Sequence, residues 1–374
     1  MAALLNDVPR VLRASAVPAI CASSATKQMQ RRVLRKRRRR PGSMNLMSAS
    51  LPGQPFTRSR VAHLPVTVRP VPEVSVVIPT KDRWELLSRH GLRSALAQEG
   101  VELEVVVVDD GSSDGTPERL EALADPRIRV FCHDRPHGQA AARNSGIAEA
   151  RAEWLAFLDD DDVWSPGKLR AQLDAARARD AIFVYGPIVV LDEQGGVQEA
   201  IPAPDPETVA TLLETRNALR AGSSTILART DVVRGLGGFD VGLSELTDWD
   251  LWLRLAQAGP AAVCDEILAG YFTHPQNRRV VDDSDVAAEY EYFLRKHPVA
   301  RAGRPQFSRW VAMGHLRAGH RLRAARVYLG SSLRDRNLGN AVRAAAALLG
   351  EQVFRMRRRL VADTPDPDWL ELYR

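Results

Sequence analysis

The sequence predicts an α/β fold in which a mostly parallel sheet is flanked by helices, with a disordered basic tail before it and an all-helical extension after it. Two runs, 74–78 and 104–108, are almost wholly Val and Ile, which is typical of strands buried on both faces. Segments with helical spacing follow them, and strands that alternate with helices form right-handed parallel units. No run of about 18 apolar residues occurs, so no membrane-spanning helix is expected.

The expected elements follow the chain in a regular order. Apolar, β-branched runs predict the strands, and apolar residues at spacings of three and four predict the helices. The alternation holds to about residue 185, and from 283 to 359 only helical spacing remains. The predicted strands are 74–78, 104–108, 128–132 and 154–158, and the predicted helices before residue 283 are 83–98, 116–124, 139–150 and 248–258.

Charge divides the 374 residues into three parts. Residues 1–70 contain 14 Lys and Arg and one acid, residues 71–280 contain 21 and 34, and residues 281–374 contain 17 and 11. We therefore expect a disordered basic tail over 1–70, a globular α/β domain over 71–280 and a helical extension over 281–374. The acidic central part makes nucleic acid an unfavourable partner.

The two basic ends allow two interpretations. The run 31–40 is either a solvated tail or a tether to nucleic acid or anionic lipid, and the segment 354–359 is either a solvated helix end or a contact with an anionic membrane surface. From three widely separated cysteines we expect neither a disulfide framework nor a thiolate zinc site, and we expect a reducing compartment. We predict a cytoplasmic protein, with peripheral attachment at the inner face of a membrane as the second interpretation.

Polar residues follow three of the predicted strands, at the edge of a parallel sheet where ligands bind. The first strand is followed by Asp82, the second by Asp110 and the fourth by four consecutive aspartates, 159–162. Four like charges beside an apolar strand need a counter-charge, and hard oxygen ligands suit Mg²⁺ or Mn²⁺. Neither a phosphate-binding loop of the Walker type nor a dinucleotide-binding glycine motif is present, so a bound diphosphate would rely mainly on the metal, with Arg143 as a second candidate partner.

Six motifs in order resemble the family-2 glycosyltransferases of the GT-A fold. The resemblance covers about residues 74–277, and it implies a Rossmann-like, mostly parallel sheet. It also implies a nucleoside-diphosphate sugar as donor. The matching pieces are VSVVIPTKDR (74–83), VVVDDGSSDGT (106–116), AARNSGI (141–147), WLAFLDDDDVW (154–164), GLGGFD (235–240) and TDWDLWLR (247–254).

The resemblance implies roles for residues around the nucleotide. The loop with Thr80, Asp82 and Arg83 would lie along the nucleotide, and Asp110 would accept a hydrogen bond from the base. Arg143 corresponds to a basic residue near the nucleotide.

The same resemblance implies a metal site. Asp159 and Asp161 match the two ends of the D-x-D motif, and His274 matches a histidine that closes over the diphosphate or metal. Asp160 occupies the middle position, where a small or neutral residue is commoner, so its assignment to the nucleotide sugar departs from the family pattern.

Asp248 matches the general base of the family. An acceptor hydroxyl has a pKa far above neutral, so a carboxylate must take its proton while the new bond forms. Burial beside an apolar helix face would raise the pKa of Asp248 and the helix N-terminus would lower it, and the sequence does not decide the balance. A plain helix cap is the alternative. Asp250 is the weaker candidate because Arg254 lies four residues on and is expected to pair with it.

The sequence thus predicts an inverting, metal-dependent glycosyltransferase that acts in polysaccharide or glycoconjugate synthesis. Its acceptor is unknown: a glycan, a lipid-linked molecule or a small molecule. A nucleotidyltransferase of related fold and a non-catalytic sugar- or nucleic-acid-binding protein are the alternatives. Residues 186–246 are expected to shape the acceptor pocket, with Ser223, Ser224 and Phe239 as contacts.

Overall fold

The computed structural model describes residues 71–219, 222–273, 283–350, 352–355 and 366–374. The predicted disordered tail, His274 and the basic residues 356–359 therefore lie outside the described residues. Eleven strands occur in the described part of the chain. They are β1 (Val74–Thr80), β2 (Leu103–Asp109), β3 (Ile128–Cys132), β4 (Trp154–Phe157), β5 (Val163–Trp164), β6 (Phe183–Tyr185), β7 (Ile188–Leu191), β8 (Val197–Ile201), β9 (Leu227–Arg229), β10 (Ala261–Val263) and β11 (Ala269–Phe272).

The main sheet has seven strands in the order β10-β6-β9-β4-β1-β2-β3. All residues of β1 and β2 are buried, which explains why both read as continuous apolar runs. The four predicted strands are confirmed within two residues at each end. The sheet is mostly parallel, as predicted, but β9 runs antiparallel to both of its neighbours, β4 and β6.

A second sheet of four strands, β5-β11-β7-β8, begins directly after the aspartates. Its short strand β5 pairs with β11, whose last residue, Phe272, precedes the undescribed stretch 274–282. The final described segment packs against this sheet through Leu370 and Tyr373. The Tyr373 hydroxyl donates to the Trp164 carbonyl oxygen at 2.9 Å.

Helices cover the sheet and make up most of the extension. The predicted helix 83–98 is two short helices that meet at His90, and the other predicted helices are confirmed. The described α-helices are α1 (Trp84–Arg89), α2 (Gly91–Leu96), α3 (Thr116–Ala122), α4 (Gln139–Glu149), α5 (Lys168–Arg179), α6 (Val209–Leu213), α7 (Thr230–Gly235), α8 (Thr247–Ala258), α9 (Asp283–Lys296), α10 (Arg304–Arg317), α11 (Arg321–Asp335), α12 (Leu338–Leu349) and α13 (Gln352–Arg355).

The break between α1 and α2 brings a backbone close to the aspartates. The Gly91 amide donates to the Asp160 carbonyl oxygen at 3.3 Å. A Cβ atom at Gly91 would lie 3.0 Å from the Asp159 carbonyl oxygen, so a side chain here would push the two segments apart.

The helical extension is joined to the α/β part through α9. Trp249 of α8 packs against Phe293 of α9 with ring centroids 4.5 Å apart, and Tyr290 stacks on Trp249 at 6.4 Å. Helices α10, α11 and α12 follow as antiparallel neighbours with a small core of their own. None of the helices in the described ranges has the length and hydropathy needed to cross a bilayer.

Candidate active site

The loop after β1 is bonded to the run Asp159–Asp162 after β4, which we call the aspartate run. The Thr80 hydroxyl donates to Asp160 at 2.8 Å. Arg83 donates to Asp160 at 2.8 Å and to Asp161 at 2.9 Å. Burial and the neighbouring Asp161 carboxylate raise the pKa of Asp160 to about 7, although Arg83 and Thr80 oppose the change. The predicted juxtaposition of these two loops is confirmed.

Arg143 of α4 joins the aspartate run to α8. Its side chain is only 1% exposed. It donates to Asp159 at 2.6 Å and to Asp248 at 2.9 Å, and its guanidinium lies 5.1 Å from the centre of the Phe239 ring. Burial would lower the pKa of Arg143, but the carboxylates of Asp159 and Asp248 outweigh it and the pKa is raised. Arg143 is therefore a buried cation shared by two carboxylates from different elements.

Asp248 lies in the first turn of α8, with its side chain 20% exposed. Burial is the largest influence and raises its pKa, while Arg143 acts in the opposite direction; the net direction is upward. This decides the balance that the sequence left open. The side chain remains accessible from one side, so a hydroxyl can reach it.

Asp250, two residues on, points into the protein and is completely buried. It accepts from Arg254 Nε at 2.9 Å, from Lys296 Nζ at 2.7 Å and from His297 Nε2 at 2.7 Å. Burial works against ionisation, but these partners lower the pKa of Asp250 to about 2. The expected pairing with Arg254 is confirmed, yet the interaction is a buried network rather than a surface ion pair. Asp250 is structural and does not face a ligand.

A second contact from α9 holds the loop that leads into α8. The Glu289 carboxylate accepts from the backbone amides of Glu245 and Leu246 at 2.8 and 2.7 Å, and from the Ser244 hydroxyl at 2.8 Å. These three residues directly precede α8. The position of Asp248 therefore depends on a carboxylate of the helical extension.

Asp110 lies at the end of β2 in a separate set of contacts. It accepts from His133 Nδ1 at 2.7 Å and from the backbone amides of His137 and Gly138 at 2.8 Å each. Burial would raise the pKa of Asp110, but these hydrogen bonds outweigh it and the pKa is lowered. The carboxylate is therefore an ionised acceptor at neutral pH. None of its recorded contacts is to the aspartate run.

Asp82 ties the first two loops to each other. Its backbone has φ of 51°, and its carboxylate accepts from the Ser113 amide at 2.6 Å, while its own amide donates to Ser112 Oγ at 2.7 Å. The carboxylate is half-exposed and holds the loop after β2. Together with Thr80 and Arg83, it places both loops at the sheet edge that was predicted for ligand binding.

The oxygen donors of Asp159 and Asp161 suit Mg²⁺ or Mn²⁺ by their chemistry. In the structure, Arg143 and Arg83 already supply counter-charge to these carboxylates. Over the ranges that the structure describes, which omit His274, no three acidic, histidine or cysteine side chains converge on one point. Arg83 and Arg143 thus supply part of the counter-charge for which the sequence predicts a divalent cation.

The expected acceptor contacts of Ser223, Ser224 and Phe239 are wrong. All three are buried. Ser224 Oγ donates to Asp162 at 2.5 Å and accepts from the Asp159 amide, so it holds the backbone and a side chain of the aspartate run in place. Phe239 packs edge-on against Phe157, with ring centroids 5.1 Å apart. Two adjacent serines suggest ligand contacts in a sequence, but here their hydroxyls form hydrogen bonds with the buried aspartate run.

Three residues of the site were not found from the sequence: His133, Gln139 and Glu289. Gln139 Nε2 donates to Asp159 at 3.3 Å from the first turn of α4. The position of Gln139 just before the motif at 141–147 was a usable signal. The contacts of His133 and Glu289 join distant parts of the chain, and no local pattern predicts them.

Comparison with known proteins covers the part of the chain that carries the loops after β1, β2 and β4. Residues 75–234 match the sequence model of glycosyl transferase family 2. The succinoglycan biosynthesis protein ExoO of Rhizobium meliloti is 41% identical over 131 residues, which is 35% of this chain and 37% of that protein. An uncharacterised glycosyltransferase of Rickettsia felis is 30% identical over 53% of this chain and 33% of its own length. The matches thus span about a third of these two relatives.

Two further comparisons differ in strength. The Escherichia coli protein WfgD, a UDP-Glc:alpha-D-GlcNAc-diphosphoundecaprenol beta-1,3-glucosyltransferase, is 29% identical over 49% of this chain and 69% of its own length. The crystal structure of Staphylococcus aureus TarS 1–349 in complex with UDP-GlcNAc is 19% identical, covers 68% of this chain and 71% of that one, and has a TM-score of 0.48. That structural similarity is too low to assign a ligand to this chain.

Proposed function

Because residues 75–234 match the sequence model of glycosyl transferase family 2, we propose that the chain transfers a sugar from a nucleoside-diphosphate sugar to an acceptor hydroxyl with inversion at the anomeric carbon. The observation that carries the proposal is the contact of Arg143 with both Asp159 and Asp248. This contact joins Asp159, which lies within the matched residues 75–234, to the partly exposed carboxylate of Asp248, which lies outside them. The two carboxylates are thus held next to each other by one guanidinium.

In the proposed reaction, Asp248 is the general base. The acceptor oxygen attacks the anomeric carbon, and its proton moves to the Asp248 carboxylate. The bond from that carbon to the diphosphate oxygen breaks, and its electron pair leaves with the diphosphate. The raised pKa of Asp248 supports this role, because a carboxylate with a higher pKa is a stronger base at neutral pH.

The donor is proposed to lie along the loops after β1, β2 and β4. The ionised Asp110 suits an N–H donor on a nucleobase, and Thr80, Asp82 and Arg83 border the same edge of the sheet. Asp160 is held by Thr80 and Arg83, which supports a place beside the nucleotide sugar.

We propose Asp159 and Asp161, with His274 of the undescribed stretch, as the residues that would hold Mn²⁺ or Mg²⁺. When bound, the ion would neutralise charge on the departing diphosphate. Arg83 and Arg143 would then remain as cations beside the same phosphate position, since each contacts one of these carboxylates.

The acceptor is proposed to belong to polysaccharide or glycoconjugate synthesis, since the name of ExoO refers to succinoglycan and that of WfgD to a diphosphoundecaprenol acceptor. A lipid-linked acceptor would place the reaction at a membrane. The predicted cytoplasmic location and the membrane contact of segments 31–40 and 354–359 stay predictions. Nucleic acid remains an unfavourable partner on charge grounds.

The decisive test is Asp248→Asn, which keeps the size of the side chain and an oxygen acceptor for Arg143 but removes the base. Transfer should fall by at least about a hundredfold, while the affinity for the nucleoside diphosphate should change little. Asp174→Asn on the exposed surface of α5 is the matched control and should leave both unchanged. Unchanged transfer would exclude Asp248 as the base, and a loss of nucleotide affinity instead of rate would assign it to donor binding.

A further inference from the structure

Helices α11 and α12 each present an apolar stripe to solvent. On α11 the stripe contains Leu322, Leu329 and Leu333, and on α12 it contains Leu338, Val342 and Leu349. Spacings of four and seven residues place the members of each stripe on one side of their helix. All six side chains are between 50% and 82% exposed. We call these six residues the outer face.

The outer face is distinct from the face that holds the helices together. Ala324 and Tyr328 of α11, and Ala344 and Ala347 of α12, lie on the other side of each helix from its stripe and belong to the buried core of these helices. Each helix is therefore apolar on two opposite sides. A water-exposed helix normally has a polar side opposite its buried side, so the outer face calls for a partner. Within the residues that the structure describes, no side chain covers it.

The surroundings of the outer face are strongly basic. Residues 304–355 contain ten Arg and two acids. Arg321, Arg323 and Arg326 on α11 are exposed, and in the described part of the chain none of them forms an ion pair. Arg326 lies on the same side of α11 as Leu322 and Leu329. Free cations among exposed leucines fit a partner that is both anionic and apolar.

We propose that the outer face docks on the surface of an anionic lipid bilayer. Leucine side chains would enter the boundary between headgroups and acyl chains, and the arginines would contact lipid phosphates. A second copy of the chain is a poorer partner, because two equally basic faces repel each other. Nucleic acid is also a poorer partner, because it offers the leucines no apolar surface to bury.

The inference does not depend on the proposed reaction, because binding is measured without donor or acceptor. The full chain is floated with vesicles of phosphatidylglycerol and phosphatidylcholine in 0.1 M and in 1 M NaCl. At 1 M the Debye length is about 3 Å, so purely electrostatic binding by basic segments is suppressed and binding through leucines persists. The wild-type chain should stay bound to these vesicles at 1 M NaCl.

The test variant is Leu333→Glu combined with Leu338→Glu, and the matched control is Val71→Glu combined with Leu123→Glu. All four positions are exposed, so both variants should fold, which circular dichroism and thermal unfolding check. At 1 M NaCl the partition coefficient of the test variant should fall about tenfold or more, and that of the control should change less than about twofold.

Equal flotation of both variants and the wild-type chain would overturn the proposal, as would absence of wild-type binding at 1 M NaCl. Light scattering measures the oligomeric state and so tests the alternative that the outer face binds a second copy of the chain. If the wild-type chain is a dimer and the test variant a monomer, the outer face is an interface between copies and the lipid proposal is wrong.

Discussion

Asp250 should be essential for stability and not for chemistry. Asp250→Asn keeps the shape of the side chain but removes a buried charge that contacts Arg254, Lys296 and His297. The lowering of the Asp250 pKa from 3.8 to about 2 corresponds to about 2–3 kcal/mol of stability at neutral pH. Removing one partner of a buried ion pair typically costs about 3–5 kcal/mol, since the remaining charges lose their counter-ion. We expect a loss of about 3 kcal/mol and a Tm lower by about 6–12 °C.

The pH dependence gives this prediction a sharper form. The folded-state pKa of Asp250 is below its unfolded value, so its contribution is present above pH 3.8 and is lost as the pH falls toward 2. Urea unfolding of wild type and Asp250→Asn should therefore differ most near pH 7, and about half of the difference should be gone by pH 3. A difference below about 1 kcal/mol at pH 7, or one that does not shrink on acidification, would refute the assigned network.

Three further outcomes follow from the site and its supports. Asp161→Ala should abolish the proposed transfer with the fold intact, and excess chelator should stop transfer by the wild-type chain; full turnover in chelator would exclude the proposed metal. Glu289→Ala should lower kcat about tenfold with little change in donor KM, and Glu289→Gln, which keeps an oxygen acceptor, should restore most of it. Gly303→Ala should lower the free energy of unfolding, measured with denaturant, by about 3 kcal/mol or more, because the added Cβ would overlap the Thr215 carbonyl oxygen. The control is Gly314→Ala: its added Cβ meets no atom within 4 Å, so the free energy of unfolding should stay the same or rise.

The last two outcomes can each fail in a distinct way. Equal kcat values for Glu289→Ala and wild type would show that the loop before α8 holds its position without this carboxylate. Equal stability of Gly303→Ala and Gly314→Ala would show that the chain can move away from the close contact at little cost.

The sequence predicted the strands and the ligand-binding edge because both depend on local composition. Buried strands are continuous Val and Ile runs, and a parallel sheet collects its loops at one edge whatever the loops contain. The antiparallel entry of β9 was not predicted, because three residues carry no directional signal. Two of the three partners of Asp250, Lys296 and His297, lie 46 and 47 residues away, and the ion pair of Arg143 with Asp248 spans 105 residues. Such contacts depend on how helices pack, which single-residue patterns do not encode.

The second sheet has a consequence for how the protein is made. Strand β5 pairs with β11, which lies about 105 residues later in the chain, and the Tyr373 hydroxyl donates to a carbonyl oxygen 209 residues before it. Contacts between such distant positions slow folding, because the loop entropy is lost before the contact is gained. During synthesis, the aspartate run leaves the ribosome long before the sheet beside it is complete. The nascent chain therefore carries an unfinished sheet edge for most of its synthesis, and chaperone demand should peak before residues 366–374 emerge.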